Sequence, residues 1–313
     1  MTSVESAREC PPSLRPGVAR LAIVRRACID IGSNTTRLLV ADFDGERLAS
    51  VHQERAFTHV RRAFTSEAEI GAAKIAEVAG VVSAQLQTAR KLGAEDVRGV
   101  ATAAVRRAAN RDALIAAVRE ACGLEVAVLS PEQEARLAFS GAARTLGHVP
   151  SGPLGVVDVG GGSCELVVGE VPDAVTWCAS LELGSGELAD ECLRSDPPTA
   201  DELGRARARV GEALEGVRPP RAECVLAVGG SATSLRRIAG SILDASAFTR
   251  ILALLAAERA ADVARRFALD RDRVHLLPAG LLILQAASER FAAPLEIAQG
   301  GLREGLLLEA SDA

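Results

Sequence analysis

The feature that most constrains this chain is a hairpin pattern that occurs twice. Residues 28–42 (CIDIGSNTTRLLVAD) and 156–170 (VVDVGGGSCELVVGE) align without a gap, pairing Asp30 with Asp158, Gly32 with Gly160, Leu38 with Leu166 and Val40 with Val168. Each copy sets a carboxylate inside an apolar run, turns on small residues and returns through a second apolar run. Alternating valines make chance similarity between hairpins common, but the shared Asp-x-Gly turn is harder to dismiss. Glycines in such a turn lose entropy on folding and pack nothing, so they mark a position where bulk is excluded. Backbone N–H groups pointing out of a tight turn form an anion-binding nest, and both Gly32-Ser33-Asn34-Thr35 and Gly160-Gly161-Gly162-Ser163 fit one.

The surrounding pattern repeats with the hairpins. Strand-like runs at 27–31, 35–41 and 47–52 precede a helical stretch from Glu67 to Leu92, a strand at 97–102, a helix after Asn110, a strand at 125–129 and a helix opened by Ser130. The order then restarts, with strands at 154–159, 164–169 and 175–181, helices at 186–193 and 199–215, a strand at 223–228 and further helices to the C-terminus. The expected fold is therefore α/β, with two similar halves facing each other across a ligand cleft. Residues 1–25, with three prolines and no periodicity, read as a tail; 26–131 as the first domain; and 132–313 as the second, its C-terminal helix packing back on the first.

Composition narrows the function. A net charge of -5 and 3% aromatic residues argue against a general nucleic-acid binder with base-stacking platforms. The most apolar run, around Leu276–Ala287, contains Pro278 and Gly280, is too short to span a bilayer and reads as a buried helix. Seven cysteines without a C-x-x-C pair, and no cleavable apolar leader, point to a reduced, cytoplasmic compartment. The four histidines stand far apart in unrelated contexts, which makes histidine catalysis a poor choice.

Carboxylates beside a phosphate nest repel the ligand unless a cation lies between them. Asp158 and Glu165, with Asp30 joining them, therefore point to Mg²⁺ held by one or two carboxylates and substrate oxygens. No G-x-x-x-x-G-K-[ST] motif is present, so a P-loop is excluded. Ser130-Pro131-Glu132-Gln133 is a capped helix start that places Glu134 just past the first turn, where helix electrostatics alone would explain it as well as a general-base role. Arg106 and Arg107 follow a strand, as solvated charges or as a phosphate clamp.

Taken together, DIGSNTTRLLVAD (30–42), ATAAVRRAANRDAL (101–114), LSPEQEARLAFSGA (129–142), VVDVGGGSCELVVGE (156–170), AVGGSATSLRRIAG (227–240) and GLREGLLL (301–308) resemble the exopolyphosphatase/guanosine pentaphosphate phosphohydrolase (Ppx/GppA) family in its short two-domain form. The resemblance implies two ribonuclease H-like domains of the actin-like ATPase/sugar kinase superfold with an interdomain cleft. It implies Glu134 as the carboxylate that activates water; Asp158 and Glu165 as magnesium-associated; Ser33, Asn34, Gly161, Gly162 and Ser163 as phosphate-loop positions; and Arg106 as an arginine pointing into the cleft. It further implies a polyphosphate or guanosine polyphosphate substrate and a homodimer. The chain departs from the family pattern at Phe57–Ala63, where a loop bordering the cleft is shortened, at Gln133, where relatives often carry a second acid, and at Cys164. A small-molecule kinase of the same superfold, a non-catalytic alarmone sensor and an assembly ATPase are the competing readings.

Overall fold

The computed structural model describes residues 23–146 and 150–309. Its first half contains β1 (Val24–Ile31), β2 (Thr35–Phe43), β3 (Leu48–Phe57), α1 (Ala72–Lys91), β4 (Asp96–Ala101), α2 (Ala103–Arg107), α3 (Arg111–Cys122) and β5 (Val126–Val128). The second continues through α4 (Pro131–Arg144), β6 (Leu154–Val159), β7 (Cys164–Glu170), β8 (Ala174–Leu181), α5 (Ser185–Cys192), α6 (Ala200–Ala213), β9 (Cys224–Val228) and α7 (Gly229–Ala239). It closes with β10 (Ile242–Leu243), α8 (Ala245–Ala257), α9 (Ala260–Phe267), α10 (Arg271–His275), α11 (Leu277–Phe291), β11 (Leu295–Ile297) and α12 (Leu302–Leu308).

The hairpin repeat becomes a repeat of sheets. One sheet runs β3-β2-β1-β4-β5 and the other β10-β11-β9-β6-β7-β8, so five strands of each follow the same order and β10 adds an edge. In both, the hairpin pairs antiparallel while the next strand joins parallel. The register is equivalent to the residue: Asp30 lies opposite Arg37, and Asp158 opposite Glu165. This is the expected α/β architecture, built on two mixed sheets.

Each sheet is covered on both faces. In the first, Ile29, Leu38 and Val40 pack with Val78 and Val82 of α1 and Val118 of α3. In the second, Val157 and Leu166 pack with Leu188 of α5 and Leu281 and Ile283 of α11. The two central helices are exchanged. Helix α4, which follows the first sheet, lays Ala135, Phe139 and Ala142 on Val156, Val167 and Leu226 of the second. Helix α12, which follows the second sheet, lays Leu306 and Leu307 on Cys28, Leu39 and Val100 of the first. The apolar run at Leu276–Ala287 lies almost wholly within the buried helix α11, and among the described residues no helix is long and apolar enough to cross a membrane.

Several boundaries differ from expectation. Residues 1–22 of the expected tail lie outside the described residues, but β1 begins at Val24, inside the range assigned to that tail. Its first turns of sequence are charged, and the charges are used: Arg25 pairs with Asp42, and Arg26 donates to the carbonyls of Leu307 and Glu309. Helix α1 starts at Ala72 rather than Glu67, because the Thr65 hydroxyl accepts from the Glu67 and Glu69 N–H groups and holds a turn there. The short strands β10 and β11 were not expected.

Two helix starts carry full capping boxes, Ser130 with Gln133 on α4 and Thr199 with Glu202 on α6. Thr199→Ala removes the acceptor for the Glu202 N–H and is expected to cost about 1 kcal/mol, read as a lower urea midpoint with unchanged slope.

Candidate active site

The cavity lies between the two glycine turns and has a volume of about 120 Å³. Its lining includes Asp30, Ser33, Asn34, Glu134, Asp158, Gly160, Gly161, Gly162, Ser163 and Glu165, so the structure brings ten of the expected site residues to one place. The two turns are built alike: Gly32 N–H donates to the Thr35 carbonyl and Gly160 N–H to the Ser163 carbonyl, each at 3.0 Å. The second turn is also tied to α5, where the N–H groups of Gly186 and Glu187 donate to the Gly161 carbonyl.

Glu134 reaches this cavity because the Ser130 cap fixes the start of α4 at its edge; the residue is 5% exposed. Burial raises its carboxyl pKa to about 7, against the pull of the Arg106 guanidinium. Arg106 was expected to point into the cleft. It is ion-paired with Glu134, which lines the cavity, and donates to the Leu129 carbonyl at 2.7 Å. The reason is proximity: α2 ends next to the start of α4, and a buried carboxylate draws the nearest cation.

Of the remaining carboxylates, Glu165 is buried and Asp30 and Asp158 are half-buried. Burial raises Asp158 to about 6 and raises Asp30, in both cases opposed by Arg37. Glu165, 2% exposed, is pushed well above the carboxylate range by burial and by the neighbouring Glu134 and Asp158, although the Ser180 hydroxyl donates to it at 3.0 Å. The Asp30 Oδ1 is buried without a hydrogen-bond partner. Among the described residues no group of three or more His, Cys, Asp or Glu side chains is placed to hold a metal ion by itself. One or two carboxylates with an unused oxygen are what a hard cation needs when water and phosphate oxygens complete its shell, so this donor set fits Mg²⁺.

Arg37 and Arg273 are among the residues at this site that the sequence reading does not include. Arg37 lines the cavity, and burial together with Arg303 lowers its pKa to about 10. Arg273, 4% exposed, is lowered to about 9 by burial and by Arg37, and its Nε and Nη2 have no hydrogen-bond partner. Gly230 makes room for both, since a Cβ there would lie 2.6 Å from Arg273 Nη1 and 2.7 Å from Arg37 Nη2. A buried guanidinium with unused donors, as at Arg273, is a demand for an anion. Arg303 and Glu304, at the start of α12, complete this wall.

The sequence profile described as the Ppx/GppA phosphatase family matches residues 39–313. The chain belongs to that family. A solved structure of the Aquifex aeolicus Ppx/GppA family member is 28% identical, covers 92% of this chain and 97% of its own, and superposes with a TM-score of 0.77. Exopolyphosphatase 2 of Mycobacterium tuberculosis is 35% identical over 205 residues, 62% of this chain and 63% of that protein, so the match spans less than two thirds of that relative. Exopolyphosphatase 1 of Mycobacterium bovis is 29% identical over 93% of this chain and 89% of its own length.

Proposed function

We propose that this protein is a Mg²⁺-dependent phosphohydrolase that releases orthophosphate from the end of inorganic polyphosphate, with guanosine pentaphosphate as a second substrate sharing the same terminal anhydride. The observation that carries this reading is the meeting of two anion-binding glycine turns and the buried Glu134 carboxylate in one cavity. Relatives called exopolyphosphatase favour polyphosphate, one of them along 93% of the chain.

In this reading the Ser33-Asn34 and Gly160–Ser163 turns orient the phosphate tail through backbone N–H groups, and Arg37 and Arg273 supply the opposite charge from the cavity wall. Asp158, Glu165 and Asp30 would hold Mg²⁺, which when bound neutralises charge on the phosphate oxygens. Glu134 accepts a proton from water as its oxygen bonds to the terminal phosphorus. The bridging P–O bond then breaks, and its electron pair leaves on the shortened chain. Arg106 keeps the Glu134 carboxylate in place.

Purified protein with Mg²⁺ and each substrate in turn is expected to release orthophosphate, and excess chelator to abolish the release. Phosphate transfer to an alcohol or carboxylate acceptor in place of hydrolysis would assign the kinase reading, and tight guanosine polyphosphate binding without release the sensor reading.

A further inference from the structure

The two halves of the molecule are joined by different physics on the two sides of the cavity. On one side α4 and α12 cross backbone to backbone: a Cβ on Gly141 would lie 2.0 Å from the Gly301 carbonyl oxygen, and one on Gly305 2.0 Å from that of Leu137. That contact is buried and cannot slide far without losing its packing. On the other side the halves meet through charge. The 3₁₀ turn Val60–Ala63 and the end of α2 present Arg61, Arg62 and Arg107, and α5 presents Glu187 and Asp190.

The pairs interlock. Arg61 Nη1 lies 3.4 Å from Glu187 Oε1, and its Nη2 3.8 Å from Asp190 Oδ2. Arg62 contacts Asp190 through Nη2 at 2.8 Å and Nε at 3.0 Å. Arg107 contacts Glu187 at 3.3 Å and donates to the Gly162 carbonyl at 3.2 Å. Both partners are anchored to the glycine turns: the N–H groups of Thr58 and His59 donate to the Asn34 carbonyl, that of Arg61 to the Ser33 carbonyl, and those of Gly186 and Glu187 to the Gly161 carbonyl. A pull between the charges therefore brings the turns together. They do meet, since a Cβ on Gly162 would lie 2.3 Å from Ser33 Oγ and one on Gly161 2.7 Å from Asn34 Nδ2.

The paired side chains keep between 18% and 51% of their surface in water. Such ion pairs are individually weak and screened by salt, unlike the packed crossing opposite them. We propose that Arg61, Arg62 and Arg107 with Glu187 and Asp190 form a charge latch that holds the cleft shut, with the α4/α12 crossing as its pivot. The shortened Phe57–Ala63 segment is what carries two of the three arginines onto α5.

The test reads shape, without substrate, so it stands apart from the hydrolase reading. Small-angle X-ray scattering of the wild-type chain should show the radius of gyration rising from about 0.01 M to about 1 M salt, as the screening length falls from about 30 Å to about 3 Å. Asp190→Arg should be expanded already at low salt, and the swap Arg62→Asp with Asp190→Arg should be compact again. Arg62→Gln, at a half-exposed position, leaves Arg61 and Arg107 paired and should expand at a lower salt concentration than wild type, with little risk to folding. A wild-type radius indifferent to salt, a folded Asp190→Arg variant as compact as wild type, an Arg62→Gln variant with the wild-type salt dependence, or a swap that stays expanded would each overturn the latch.

Discussion

Glu134→Gln is expected to lower kcat for phosphate release by about 10²–10⁴-fold, the usual cost of removing a general base, with KM nearly unchanged. Glutamine keeps the shape of the side chain and an oxygen that can still accept from Arg106, so the helix start and the cavity wall should stay where they are. What it loses is the ability to take a proton from water. The same group gives the pH profile its sign. Burial holds the wild-type carboxyl at about 7 and the base is the ionised form, so kcat/KM should rise with pH through that region. The variant should lack that limb. Because Arg106 pulls the Glu134 pKa down, Arg106→Gln should move the limb to higher pH. An unchanged kcat in Glu134→Gln would remove this carboxylate from the chemistry.

Which parts of this site were legible in the sequence follows from how local each signal is. The two hairpins were readable because strands β1, β2, β6 and β7 are buried along most of their length, and their apolar runs end at glycine turns. Glu134 was readable because the Ser130–Gln133 cap fixes its place on α4, although the cap alone left its role open. Arg37 had a usable signal that went unread: in the hairpin register it stands directly across from Asp30, so a carboxylate facing the cleft implies a neighbour facing it too. Arg273 had none, since it sits on a five-residue helix and is buried only by the chain folding around it. Strands β10 and β11, two and three residues long, are too short for alternation to register, and they exist because neighbours supply their partners. The pairing of Arg106 with Glu134 was not legible, because sequence shows that an arginine follows β4 but not that a buried carboxylate waits beside it.

Gly141→Ala is expected to destabilise the fold by about 1–3 kcal/mol, the range for overpacking a filled interior, and to lower the melting temperature accordingly. The added methyl would lie 2.0 Å from the Gly301 carbonyl oxygen and 2.7 Å from the Gly305 nitrogen. Neither obstacle is a side chain that can rotate away, so α4 and α12 must separate. Separation has a second consequence, because α4 carries Glu134 to the cavity and α12 begins with Leu302, Arg303 and Glu304 on its wall. Activity should therefore fall at temperatures where the variant is still folded, through displaced geometry rather than lost protein. Gly204→Ala is the control: it lies in α6, nothing stands within 4 Å of its new methyl, and replacing a helical glycine there should stabilise by about 0.5–1 kcal/mol. If Gly141→Ala melts with the wild type while Gly204→Ala rises as expected, the crossing is looser than its distances say and cannot serve as a fixed pivot between the two halves.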